Sequence, residues 1–124
     1  MFLTDLIEKR VIESESTYEL VAPLIWKCKD YYFEIPEGFR YDGASVPWIA
    51  SRLFPRKGRP YDRAACLHDY LYATHLLTRK QADKLFYKAM LSDSVSKWRA
   101  YIVYQAVNLF GSSAYNAKEV KGAR

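Results

Sequence analysis

The spacing of apolar positions along the chain changes period once, near residue 61. Before that point β-forming residues cluster over 17–35: Thr17, Tyr18, Leu20 and Val21, then Ile25 and Trp26, then Tyr31, Tyr32, Phe33 and Ile35. Pro23 and the pair Lys29-Asp30 interrupt them as turn or edge positions. Pro36-Glu37-Gly38 reads as a turn, and Phe39-Arg40-Tyr41 leads into Asp42-Gly43-Ala44-Ser45. Three prolines between Val46 and Pro60 predict mostly loop.

Beyond residue 61 apolar residues recur at helical spacing. One set is Ala64, Leu67, His68, Leu71, Tyr72 and His75; a second is Ala82, Leu85, Phe86, Ala89 and Met90. A third, Val95, Trp98, Ile102, Ala106 and Leu109, assigns the aromatic helix Trp98–Phe110 to the core, with one face left as a candidate protein interface. Thr78-Arg79-Lys80-Gln81 is a capping box opening the middle helix. Ser92-Asp93-Ser94 is expected to open the third, and Gly111 to close it. The prediction is one α+β domain over 1–124: a small N-terminal β layer within 1–41, loop over 42–60, and three helices within 61–118. The first two helices, joined by a short link, form an antiparallel pair.

Composition narrows this picture. A chain of 124 residues can build one ordinary core, and 50% hydrophobic with 27% charged residues excludes a disordered polymer. No apolar run approaches the ~20 residues of a membrane-spanning helix. The opening Met1-Phe2-Leu3-Thr4-Asp5 meets an acid at once, so no secretory leader is expected. Cys28 and Cys66 have no zinc-ligand spacing and are expected as small buried hydrophobes, consistent with synthesis and folding in a host cytoplasm.

Charge is uneven. Residues 1–60 balance nine Lys/Arg against nine Asp/Glu, whereas residues 61–124 carry ten against five, so the net charge of +5 lies in the helical half. A basic run, Arg52, Arg56, Lys57, Arg59 and Arg63, crosses the loop. Such a balance suits an anionic partner such as phospholipid head groups, or simply a soluble surface. No recognisable nucleic-acid module accompanies it, so sequence-specific nucleic-acid binding is not expected. Trp48-Ile49 beside Pro47 suits either a lipid interface or the core.

The candidate chemistry centres on His68 and Asp69. At about 100° per residue His68 falls in the middle of the apolar stripe of the first helix, Asp69 on its flank, and Tyr72 back on the His68 side one turn later. Antiparallel packing would bring Asp83, at the edge of the next helix's apolar face, to His68. An Asp holding one imidazole nitrogen fixes the tautomer and leaves the other nitrogen as a general base for water. Asp69 with Asp42 and loop carbonyls would surround a hard cation such as Ca²⁺, and Gly43 allows close backbone approach. The competing reading is a buried His satisfied within the core, with Tyr72 as packing. Ser45 lacks the strand–turn–helix setting of a serine nucleophile, and His75 is read as structural.

The stretch from Phe33 through Gly111 resembles a bacteriophage and prophage family catalogued as domain of unknown function 1353. The resemblance rests on Pro36-Glu37-Gly38-Phe39, Asp42–Pro47, Leu67–Tyr72, Ala82–Phe86 and Phe110-Gly111, in that order. A more distant similarity is to secreted bacterial and fungal phospholipases A2. These have an Asp-Gly-Cys-Ser calcium loop, a helix with His-Asp-Phe-Gly-Tyr, and a following helix bearing Asp. It implies that Asp42 and Asp69 are calcium ligands, with Gly43 in the calcium loop. It also implies that His68 is the base, Asp83 its orienting acid and Tyr72 the support of that acid. Ala44 and Ala65 replace both ends of that family's disulfide, as a relative folding in reducing cytoplasm would show. The loop-to-His spacing is longer here and the His-to-Asp spacing shorter.

The resulting expectation is a phage-derived, calcium-assisted acyl-ester hydrolase acting on phospholipid in cell penetration or lysis. A non-enzymatic virion component, such as a small tail or tail-tip protein, is the alternative. A cytoplasmic phage protein that binds a host factor is the third.

Overall fold

A computed structural model describes residues 1–10, 17–41, 61–110 and 112–117. Strands β1 (Glu8–Arg10), β2 (Tyr18–Leu20) and β5 (Arg40–Tyr41) form an antiparallel sheet in the order β1-β2-β5. Strands β3 (Leu24–Lys27) and β4 (Tyr32–Ile35) form a separate hairpin with Leu24 opposite Ile35 and Trp26 opposite Phe33. Alternation sets its faces: Leu24, Trp26 and Ile35 are buried, while Lys27, Tyr32 and Glu34 are exposed. Phe2 bridges to Trp26 along the other edge of β3, and the two rings meet edge to face at 4.9 Å. The hydrophobic pattern does not reveal β1, because Glu8-Lys9-Arg10 is wholly charged. Its register is marked instead by a row of charges across three strands, with the Glu19 carboxylate 3.5 Å from Lys9 and 2.8 Å from Arg40.

Pro36-Glu37-Gly38 does form a turn, closed by a 3.2 Å hydrogen bond from the Phe39 amide to the Pro36 carbonyl. Gly38 has φ +91, the sign that the third position of a type II turn requires. A Cβ there would meet no atom within 4 Å, so any cost of Gly38→Ala is conformational. We expect a loss of about 1 kcal/mol in urea denaturation. An unchanged midpoint would show that the turn relaxes without penalty.

Among the described residues four helices follow: α1 (Asp62–Thr74), α2 (Arg79–Ser92), α3 (Lys97–Phe110) and a short α4 (Ser112–Ala117) that periodicity does not reveal. The α+β architecture expected from the sequence is therefore present. The first two helices are antiparallel, since Tyr72 meets Asp83, His68 meets Phe86 and Arg63 meets Asp93. His75 ends α1 in the left-handed region at φ 54, its amide donating to the Leu71 carbonyl. The Thr78 capping box forms in full: the Gln81 amide donates to Thr78 Oγ1 at 3.2 Å and the Thr78 amide to Gln81 Oε1 at 3.0 Å.

Three local expectations are corrected. Ser92-Asp93-Ser94 does not open the third helix. Ser92 ends α2, Ser94 turns to φ 69, and the Val95 amide closes the end on the Met90 carbonyl. The Asp93 carboxylate is held by Arg63, whose Nε and Nη2 donate at 2.9 and 2.6 Å while Nη1 donates to the Thr4 carbonyl. Second, Asp69 is not on a flank. Helix α1 contacts α2, α4 and β5 together, and every residue from Ala64 to Tyr72 is buried. Third, the core face of α3 is Ala100, Val103, Ala106 and Val107, while Trp98, Ile102 and Leu109 lie exposed on the opposite side. The helix is apolar on two faces, and the one with smaller side chains permits the closer approach to α2. Among the described residues no helix is long and apolar enough to cross a membrane.

Candidate functional site

His68 and Tyr72 stand one turn apart on α1 and both reach Asp83 on α2. The His68 Nε2 lies 2.8 Å from Asp83 Oδ1, and the Tyr72 hydroxyl donates to the same oxygen at 2.5 Å. All three side chains have zero solvent exposure. A buried carboxylate needs donors and a counter-charge. The donors are His68 and Tyr72, and the counter-charge is Arg79, whose Nη1 sits 3.6 Å from Asp83 Oδ2. That same Nη1 donates to the Asn108 carbonyl near the end of α3 at 2.9 Å, so Arg79 ties the acid to a third helix.

A carboxylate only accepts, so Nε2 donates to Asp83, and a proton taken up by His68 in a reaction would be carried on Nδ1. The imidazole is clamped between Phe86, with centroids 4.5 Å apart and planes at 27°, and Tyr72 at 4.2 Å and 43°.

Burial, reinforced by the neighbouring Asp83 carboxylate and opposed by Arg79, raises the Tyr72 hydroxyl far above its ordinary 10.0. Tyr72 is therefore a fixed donor. Burial raises Tyr41, Tyr61 and Tyr70 as well. With native values above the unfolded one, these tyrosines contribute stability that is fully present below pH 10 and lost as pH climbs toward the native values. Stability should thus fall above about pH 10, with tyrosinate absorbance appearing together with unfolding. Tyr72→Phe should make the decline shallower, and an identical slope would exclude Tyr72 from the linkage.

Helix α4 closes one side of the cluster. Tyr115 meets Tyr72 edge to face at 5.1 Å and stacks on His75 at 3.9 Å with planes 4° apart. The Tyr115 hydroxyl donates to the Leu77 carbonyl at 3.0 Å, and His75 Nε2 donates to the Tyr115 carbonyl at 2.9 Å. His75, read as structural, anchors α4.

The structure thus brings His68, Tyr72 and Asp83 together. Asp69 is wholly buried one residue along α1, while Asp42 and Gly43 lie outside the described residues, as do Ser45, Trp48, Ile49 and the basic run before Arg63. Among the described residues no group of three His, Cys, Asp or Glu side chains is placed to hold a metal. Asp69 supplies one hard oxygen donor of the kind a calcium ion takes. Three contributors escape the sequence reading of the site. Arg79 was signalled by its spacing of four from Asp83. Phe86 looked like ordinary core, and Tyr115 lies in a helix too short to show a period.

Residues 18–107 match the family described as "Protein of unknown function (DUF1353)". The chain belongs to this family. His68, Asp69, Tyr72 and Asp83 all fall within the DUF1353 segment, whereas Tyr115 does not. Two similar proteins come from Sinorhizobium fredii (strain NBRC 101917 / NGR234). "Uncharacterized protein y4iH" is 36% identical over 74 residues, covering 56% of this chain and 30% of its own length. "Uncharacterized protein y4jT" is 31% identical over 99 residues, covering 72% of this chain and 29% of its own length. The match therefore spans less than a third of either relative. No solved structure matches the chain.

Proposed function

We propose that this DUF1353 protein is a phage-derived hydrolase of acyl esters, with phospholipid as substrate class and a site similar to that of phospholipases A2. The observation that carries this reading is the convergence of His68 Nε2 and the Tyr72 hydroxyl on one oxygen of Asp83. With Nε2 turned to Asp83, this reading assigns the part of the base to Nδ1.

In the proposed reaction Nδ1 takes a proton from water as the water oxygen adds to the ester carbonyl carbon. Collapse of the tetrahedral adduct breaks the bond to the alkoxide, which receives that proton from His68. The products are a fatty acid and the deacylated alcohol. Asp83 offsets the positive charge that His68 carries between the two steps, and Tyr72 with Arg79 holds Asp83 in position. Asp69, with Asp42 and the Gly43 carbonyl, would hold a Ca²⁺ ion; when bound, it supplies polarisation of the ester carbonyl.

The test is fatty-acid release from phospholipid by the purified protein, with calcium and then with chelator. Release that depends on calcium and disappears in His68→Ala is the expected result. No release by the wild type from any phospholipid, with or without calcium, would sink the proposal.

A second reading has its own support. His68, Asp69, Tyr72 and Asp83 all have zero exposure, which suits a polar network retained to specify packing in a non-enzymatic virion component. That reading requires the protein in stoichiometric amount in purified particles.

A further inference from the structure

The outer face of α3 is mainly apolar, with Gln105 its one polar position, and it is uncovered among the described residues. Trp98, Tyr101, Ile102 and Leu109 are 57%, 52%, 38% and 71% exposed, and their spacing places them on one stripe opposite the core face. The stripe runs about 16 Å along the helix at 1.5 Å per residue.

The charges exposed on α2 and α3 around it are basic, and the nearby acid is Asp30, which lines a pocket with Lys84 and Lys88 at the far end of the lysine edge. Lys97 and Arg99 are exposed on α3 itself, and the Arg99 guanidinium lies 4.9 Å from the Trp98 ring centroid. On the neighbouring helix Lys80, Lys84 and Lys88 are exposed one turn apart. Lys80 and Lys84 line a cavity of about 490 Å³ together with Tyr104 and Asn108 of α3, so this lysine edge borders the α3 face. The α3 helix contains no acidic residue, and the one acid within α2 is the buried Asp83.

A second copy of the chain is a poor occupant, because a two-fold contact through this face would set basic edge against basic edge. A stripe of Trp, Tyr, Ile and Leu flanked by lysine and arginine fits a surface that is anionic outside and apolar just beneath. We infer that α3 and the lysine edge of α2 form a docking face for an anionic phospholipid bilayer, with Trp98 and Leu109 entering the acyl boundary. This deepens the phospholipase-like reading by naming the surface that would hold the protein on its substrate, and it rests on that reading only for its purpose. The docking itself needs no catalysis.

The experiment is co-sedimentation with phosphatidylcholine vesicles with and without phosphatidylglycerol. We expect binding to the anionic vesicles at least tenfold stronger than to the neutral ones, and weakened by salt. Trp98→Ser combined with Leu109→Ser, and separately Lys80→Glu with Lys84→Glu, should each reduce binding tenfold or more. Circular dichroism should be unchanged, since all four side chains are exposed. His68→Ala should bind as the wild type does. Absence of wild-type binding to anionic vesicles would overturn the inference, as would full binding by the Trp98/Leu109 variant. A wild-type dimer dispersed by that variant would overturn it in favour of a second copy. Hydrolysis of a soluble short-chain ester reports on the His68 reading alone, so the two ideas fail separately.

Discussion

Asp83→Ala should lower the unfolding free energy by about 3–5 kcal/mol, close to the limit for a single change in a domain of this size. Three costs combine. The His68 N–H and the Tyr72 hydroxyl, both fully buried, lose the oxygen they share, and each orphaned donor costs about 1–3 kcal/mol. Arg79 loses its counter-charge but remains partly exposed, so water offsets most of that loss. The removed carboxyl also leaves a small void between two closely packed helices. Tyr72→Phe deletes one donor to the same oxygen and should cost less, about 1.5–3 kcal/mol. Urea denaturation of the variants measures both effects. A loss below about 1 kcal/mol for Asp83→Ala would mean that water reaches the cluster and that its burial is only apparent.

His68→Ala should reduce fatty-acid release by about 10²–10⁴-fold if His68 is the base, equivalent to roughly 3–5 kcal/mol of barrier at 1.36 kcal/mol per decade. Activity alone would not separate chemistry from packing, because His68 also fills the space between Phe86 and Tyr72. Asp83→Asn does separate them. It conserves volume, and Arg79, 3.6 Å from Oδ2, attracts the amide oxygen, which leaves the amide nitrogen facing His68. The imidazole must then accept at Nε2 and carry its proton on Nδ1, the wrong tautomer for a base. Activity should fall nearly as far as in His68→Ala, while stability suffers much less than in Asp83→Ala. A variant that keeps wild-type turnover with Asn at position 83 would rule out the assigned tautomer.

Much of the fold was legible in the chain. Clustered β-formers marked the strands, and apolar residues three to four apart marked the helices. The Thr78–Gln81 box marked the start of α2, and the hairpin turn at Lys29-Asp30 fell where polar residues interrupt β-formers. Two signals misled because one pattern permitted two answers. Ser92-Asp93-Ser94 has the composition of a helix start, but Asp93 is occupied by Arg63, thirty positions earlier. The third helix is apolar on opposite faces, and no count of apolar residues decides which is buried. Strand β1 was invisible because its side chains are all charged and carry no apolar alternation, while its pairing is made with the backbone and charges of β2.

The site divides in the same way. That His68 and Tyr72 share one helical face follows from a spacing of four, and that Asp83 lies near the inner edge of the next helix follows from its own period. These are local consequences of helix geometry, and the sequence by itself determined them. The tertiary structure alone decided that both donors converge on one oxygen, that Arg79 balances the charge, and that Phe86 and Tyr115 flank the cluster. It also decided that Asp69 has no solvent-facing flank. Helical period fixes the angle of a side chain about its own axis, whereas a 2.8 Å contact depends on the separation and relative height of two helices. Those quantities are set by every side chain between them.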